Sequence, residues 1–240
     1  VDLEDHHYRS FMGFTCLMQI STRKEDFLVD LLSLRSHIRD ALGPIFRDPS
    51  VLKVFHGANQ DMVWLQRDFG IYVVNMFDTG QAARELELPS FGLAYLLSHL
   101  CSVQADKRYQ LADWRLRPLT LEMKHYARMD THYLLYMHDR LKELLVQKGA
   151  AALRRVWDAT RDVCLGVYEK ELLTETSYLE FYKKCNRKYE PLQMAALAAL
   201  YAWRDTVARQ LDESSGYVLP RALLLRLCDD MPATLRELHS

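Results

Sequence analysis

The chemistry open to this 240-residue chain rests on four carboxylates and one phenol. Asp2 and Glu4 lie two apart in a segment that reads as the start of a strand, so their side chains share one face about 7 Å apart. Two like charges side by side require a compensating cation once buried. An isolated pair of this kind is more often a solvated chain end. Asp61 falls in the first turn of a helix opening near Asn59, on the side that carries Trp64 and Leu65. A carboxylate there commonly does no more than face the positive end of the helix dipole. Asp130 lies on the inward stripe of the clearest helix, 121–146, in line with Met123, Ala127, Leu134, Met137, Leu141 and Leu145. A carboxylate on such a stripe is costly unless it is paired or bound to a metal, and no Lys or Arg occupies the neighbouring inward positions. Tyr126, one turn earlier, places its phenol on the same side of that helix.

These side chains depend on elements that the hydropathy pattern marks out. Residues 15–31 read as a β-hairpin, with apolar runs at Cys16-Leu17-Met18-Gln19-Ile20 and Phe27-Leu28-Val29 around a polar turn. A helix over 32–46, a strand over 51–55, the helix from Asn59 and a strand over 71–74 follow. Such alternation predicts an α/β core with a mixed sheet. Thr120 reads as the N-cap of the long helix, with Gly149 just beyond its end. After Gly149 the strand signals fade, a charged patch spans 183–188, and Pro191 opens an Ala/Leu-rich helix continuing past Trp203. A polar loop over 212–216, Pro220 and a Leu-rich helix complete the pattern. The organisation expected is a first domain over 1–149, a helical linker over 150–189 and a small helical domain over 190–240.

Composition narrows the function classes. Apolar residues make up 49% and charged residues 26%, which supports a sizeable core. A net charge of −1 argues against coating long stretches of duplex, which needs many neutralised phosphates, and is compatible with a narrow site that holds a few nucleotides. Cys16, Cys101, Cys164, Cys185 and Cys228 are scattered without CxxC spacing, so neither a disulfide framework nor a zinc site is expected. With no long apolar run and no signal-peptide pattern, the expectation is a soluble, intracellular chain without a membrane partner.

The order of the acidic residues adds what each lacks alone. Asp2-Leu3-Glu4, then His56-Gly57-Ala58-Asn59-Gln60-Asp61, then Tyr126-Ala127-Arg128-Met129-Asp130 resemble the three exonuclease motifs of the DEDDy group, as found in ribonuclease D. Between them, Trp64-Leu65-Gln66-Arg67-Asp68-Phe69-Gly70, Met76-Phe77-Asp78-Thr79 and Tyr109-Gln110-Leu111-Ala112-Asp113-Trp114-Arg115-Leu116-Arg117-Pro118 resemble the hydrolytic exoribonuclease subunit of the nuclear exosome. The likeness runs from Asp2 to about Gly149 and implies an RNase H-like mixed-sheet core. Tyr201-Ala202-Trp203-Arg204-Asp205, Asp212-Glu213-Ser214 and Gly216-Tyr217-Val218-Leu219-Pro220 resemble an HRDC domain, which is all-α and here reads as incomplete.

The resemblance implies 3′-to-5′ hydrolysis of RNA to nucleoside 5′-monophosphates with two divalent cations. Four carboxylates with a Tyr suit Mg²⁺ or Mn²⁺ better than zinc. By the family pattern Asp2 would bridge both cations, Glu4 and Asp130 would complete one site, Asp61 would hold the other, and Tyr126 would orient the attacking water. Weaker expectations place His6, His7, His56, Gln110, Trp114 and Arg115 against substrate; His132, two residues from Asp130, should point away. The partners implied are single-stranded RNA 3′ ends and the nuclear exosome core with its protein cofactors, in the nucleus and nucleolus. A DNA-directed exonuclease of the same group and a catalytically weak RNA-binding scaffold are the alternatives. Because the first motif begins at Val1, the chain reads as a fragment of a longer protein.

Overall fold

Three antiparallel strands present the first acidic motif. In the computed structural model, which describes residues 1–238, β1 (Asp2–His6), β2 (Phe14–Ser21) and β3 (Asp26–Asp30) form one sheet in that order. Asp2 faces Gln19, Leu3 faces Met18 and Glu4 faces Leu17, with a bulge between Glu4 and Asp5. Because side chains alternate across a sheet, Leu3 and Met18 share one face, where they bury among Ile38, Met62 and Leu65 of α1 (Arg35–Arg47) and α2 (Asn59–Phe69). The opposite face carries Asp2, Glu4, Leu17 and Gln19, and there Leu17 packs with Trp114, Met123 and Ala127. The last two belong to α5 (Leu121–His132), so the helix bearing Tyr126 and Asp130 lies over the acidic face of β1.

A parallel pair, β4 (Lys53–Phe55) and β5 (Met76–Asp78), is joined by α2. The strand expected over 71–74 is displaced to β5. Gly70 closes α2 in the left-handed region, and Ile71 and Val73 are buried in a segment that forms no strand. Asn75 then turns the chain at φ 57°, so that ladder pairing with β4 starts at Met76. The helix expected over 32–46 starts later, at Arg35, because the Asp30 carboxylate accepts from the Leu32 and Ser33 N–H groups and holds a turn there.

The single helix expected over 121–146 is two. α5 ends at His132, and α6 (Leu134–Lys148) sets off after Tyr133. α5 packs on β2 and β3, whereas α6 packs on α3 (Thr79–Glu85), α4 (Leu93–Cys101) and β4. The segment expected as a linker over 150–189 also divides. α7 (Ala150–Leu165) buries Ala152 and Val156, with the half-buried Trp157 beside them, against Phe77, Leu134 and Met137, inside the unit formed by residues 1–6 and 14–168.

The second unit comprises residues 7–13 and those from Glu169 onward. Its helices are α8 (Ser177–Lys183), α9 (Pro191–Leu211), α10 (Ser215–Val218), α11 (Arg221–Asp230) and α12 (Leu235–Leu238), around Leu197, Leu219, Leu224 and Cys228. α9 begins with Pro191 after a Glu190/Gln193 capping box. Residues 7–13 are held within this unit by Arg9 Nε donating to Glu213 Oε2 (2.8 Å) and Phe11 N–H to Asp212 Oδ1 (3.1 Å). Among the described residues, no helix is long and apolar enough to cross a membrane.

Candidate active site

Asp2, Glu4 and Asp130 converge: each offers one oxygen, and the three oxygens lie within 4.8 Å of one another. Thr120 caps α5 by accepting from the Met123 N–H (3.2 Å), and burial of Met123 and Ala127 fixes the helix's rotation so that Asp130 faces β1. Gln19, fully buried on β2, donates from Nε2 to Glu4 Oε1 (3.1 Å) and thereby orients that carboxylate.

Asp61 is 6% exposed and its Oδ1 is buried without a hydrogen-bond partner among the described residues. It stands outside the three-oxygen group, yet its charge acts on Glu4 and that of Asp2 acts on it. Its helix is aimed by Asp78, at the end of β5. That carboxylate accepts from the N–H groups of Gly57 (3.0 Å), Ala58 (2.8 Å), Gly80 (2.7 Å) and Gln81 (3.2 Å), joining the starts of α2 and α3. Gly57, at φ +66°, supplies the left-handed step this turn needs. Asp78→Ala would strand these buried donors, and an unfolding free energy lower by roughly 3–5 kcal/mol is expected in urea titrations. A loss under about 1 kcal/mol would contradict this role for Asp78.

Electrostatically the cluster is incomplete as protein alone. Burial, then repulsion from Asp2, pushes Asp130 up to about 8. Burial raises Glu4 and Asp61 well above the carboxylate range, and Asp2 adds to both; burial also raises Asp2. No ion pair among the described residues reaches any of the four. Arg67 pairs with Asp5 and Asp68, Arg115 with Asp113, Arg117 with Asp30 and Arg128 with Asp26. An all-oxygen donor set, an orphaned carboxylate oxygen and no side-chain counter-charge fit divalent cations of the Mg²⁺ or Mn²⁺ type. The Tyr126 phenol faces Asp130 and packs against Trp114 (ring centroids 5.9 Å). Burial, followed by the charges of Asp130, Glu4 and Asp2, raises its pKa, so it stays protonated.

The flanking residues separate. Trp114 is 1% exposed within the core beside Cys16 and Met123, so it offers no open ring face to a base, and the expected substrate contact is not supported. Its aromatic bulk fills the space beneath α5 instead. His6 is buried against Phe14, with Nδ1 3.8 Å from Asp113. His7 is exposed and falls in the second unit. His56 Nδ1 lies 2.9 Å from Thr79 Oγ1, and burial lowers its pKa. Gln110 is exposed in a turn, Arg115 forks onto Asp113 (2.8 Å), and His132 points away from the cluster to Asp26 (2.8 Å). Sequence reasoning passed over Gln19 and Asp78 as site residues. A lone amide within an apolar strand, and an Asp-Thr-Gly step from strand to helix, were the available signals.

The chain is similar to known proteins in sequence and in fold. Residues 1–146 match the family model described as a 3′-5′ exonuclease. The chain belongs to the 3′-5′ exonuclease family. Beyond this exonuclease domain, residues 193–240 match the HRDC domain. Exosome complex component 10 of Rattus norvegicus is 53% identical over 235 residues, 97% of this chain and 26% of that protein. This chain therefore spans about a quarter of that relative's length. The crystal structure of the catalytic core of RRP6 from Trypanosoma brucei superposes with a TM-score of 0.90 at 41% identity, covering 99% of this chain and 65% of that one. Escherichia coli RNase D, an exoribonuclease involved in structured RNA processing, gives 0.71 at 26% identity, covering 99% and 62%. The expected fold is thus borne out: a mixed α/β nuclease core followed by a helical HRDC domain.

Proposed function

We propose that this chain is the catalytic part of a metal-dependent 3′-to-5′ exoribonuclease that acts with the nuclear exosome, in the nucleus and nucleolus, on single-stranded RNA 3′ ends. The observation that carries the reading is the convergence of Asp2, Glu4 and Asp130 oxygens within 4.8 Å, beside Tyr126 and without a cationic side chain. The names of the similar proteins, a component of the exosome complex and an exoribonuclease, supply the substrate class and the partner.

Asp2, Glu4, Asp61 and Asp130 would hold two Mg²⁺ or Mn²⁺ ions, which when bound supply hydroxide near neutral pH and neutralise charge at phosphorus. Tyr126, kept protonated, donates a hydrogen bond and orients the attacking oxygen rather than removing its proton. Gln19 holds Glu4 in place. Hydrolysis puts the water oxygen on phosphorus and breaks the bond to the 3′ oxygen of the preceding nucleotide. The products are a nucleoside 5′-monophosphate and a new 3′ hydroxyl end.

The test compares 5′-labelled single-stranded RNA and DNA of one sequence, with Mg²⁺, with Mn²⁺ and with EDTA. Stepwise shortening of RNA, with monophosphate release and none in EDTA, is expected; internal cuts or cleavage in EDTA would overturn the reading. Faster shortening of DNA would move it to the DNA-directed branch, since the 2′ hydroxyl distinguishes the sugars. Tyr126→Phe keeps the ring packed against Trp114 but removes the hydroxyl. It should lower kcat roughly 100-fold with KM for RNA unchanged, and a kcat equal to wild type would dismiss the orienting role.

A further inference from the structure

The turn that carries Asp130 is also the place where α5 comes apart. The Tyr133 N–H goes to Thr131 O instead of continuing the regular ladder, and Tyr133 sits at φ −94°, ψ −5°. A helix end of this kind has few internal bonds to hold it. Something else must fix the direction of Asp130 to within the tolerance of a metal site.

Asp26, the first residue of β3, meets that need from the far side of the helix. Arg128 Nε donates to Asp26 Oδ2 at 2.7 Å, and His132 Nδ1 lies 2.8 Å from the same oxygen. Ser21, its cross-strand partner, donates to Asp26 Oδ1 at 2.7 Å and stands 2.7 Å from the hydroxyl of Thr131, which is 1% exposed. Arg128 and His132 are four residues apart and share one face of α5, while Asp130, two from each, projects from the opposite face toward Asp2 and Glu4. Clamp and ligand thus grip opposite sides of one turn. The Asp26 side chain is only 15% exposed, so these contacts are screened less than those of a free surface pair.

We propose that Asp26 is a positioning residue for the metal ligand Asp130: with Ser21 it anchors Arg128, Thr131 and His132 to the β2–β3 turn and sets the direction of Asp130 toward β1. The inference rests on the two-cation reading above. Removal of groups that orient metal ligands typically weakens binding or activity by 10–100-fold.

The experiment measures Mn²⁺ binding to this chain without RNA, by electron paramagnetic resonance of free Mn²⁺, alongside melting temperature, kcat and KM. Asp26→Asn is isosteric and keeps the accepting oxygen for Ser21; Ser21→Ala severs the link to Thr131 from the other side. Both should bind Mn²⁺ more weakly, about 10-fold or more for Asp26→Asn, with KM for RNA unchanged and kcat recovering as Mn²⁺ is raised. Asp139→Asn, which breaks the nearby exposed pair with Arg23, should leave Mn²⁺ affinity as in wild type. Wild-type Mn²⁺ affinity in both clamp variants overturns the inference and leaves the two-cation reading intact. So does a loss that Asp139→Asn reproduces together with an equal fall in melting temperature. Absence of Mn²⁺ binding by the wild-type chain overturns both.

Discussion

Asp130→Asn is expected to cut RNA degradation roughly 1,000-fold while leaving the metal-free protein at least as stable as wild type. The two halves of this result have one cause. Asp130 is crowded by burial and by Asp2, which push its pKa up to about 8, so as a charged group it opposes folding. The amide has nearly the same shape, keeps an oxygen facing Tyr126, and carries no charge. It therefore relieves repulsion in the metal-free protein while withdrawing a negative oxygen from the three-oxygen group that would hold a cation. Thermal melts at pH 9 in EDTA, paired with a 3′-end degradation assay in Mg²⁺, check both halves. A variant that degrades RNA within about 10-fold of wild type would remove Asp130 from the site. One that melts well below wild type would mean that the carboxylate serves the fold instead.

Metal-free stability should fall as pH rises, and divalent cations should reverse the fall. Asp130 moves from the ordinary 3.8 to about 8 in the folded chain, and burial raises Asp2, Glu4 and Asp61 in the same sense. Between these limits the folded state binds more protons than the unfolded one, so the unfolding free energy has a negative slope with pH. Stability is full below about pH 4 as far as these groups are concerned and is lost progressively as pH rises, through about 8 for Asp130 and about 10 for Glu4. Metal binding needs the carboxylates deprotonated, so its affinity runs the other way and strengthens with pH. With free Mg²⁺ 100-fold above Kd, the gain is about 2.7 kcal/mol, or about 5–10 °C in Tm for a domain of this size. Melting curves from pH 5 to 9, with EDTA and with Mg²⁺, should diverge toward high pH. Parallel curves would show that the four carboxylates do not share a cation.

The local grammar of the chain was readable. Thr120 as a cap, Met123, Ala127, Leu134, Met137, Leu141 and Leu145 as buried positions, and Pro191 at a helix start follow from short-range sterics and 3.6-residue periodicity, which neighbours in sequence determine. The carboxylates that come together were legible as well, because a charge on an apolar stripe and a DxE pair entering a sheet each demand an explanation. Their order, matched to a family, supplied one.

Other features depended on partners distant in sequence. Residues 71–74 have strand character, yet pairing begins at Met76, because a strand exists only where a neighbour offers its ladder, and β4 offers it there. The apolar stripe runs unbroken across Tyr133, but α5 lies on β2 and β3 while α6 lies on α3, α4 and β4, and the helix is interrupted between them. Trp114 has the chemistry to stack on a base and is instead enclosed by β2 and α5. Gln19 beneath Glu4, Asp78 behind Asp61 and Asp26 behind Asp130 are polar residues that periodicity alone leaves unassigned. Sequence by itself determined which residues carry the charge and which faces are buried, since both are properties of a residue and its near neighbours. Tertiary structure alone decided what aims those charges, because an orienting hydrogen bond joins groups that only the fold brings within 3 Å of each other.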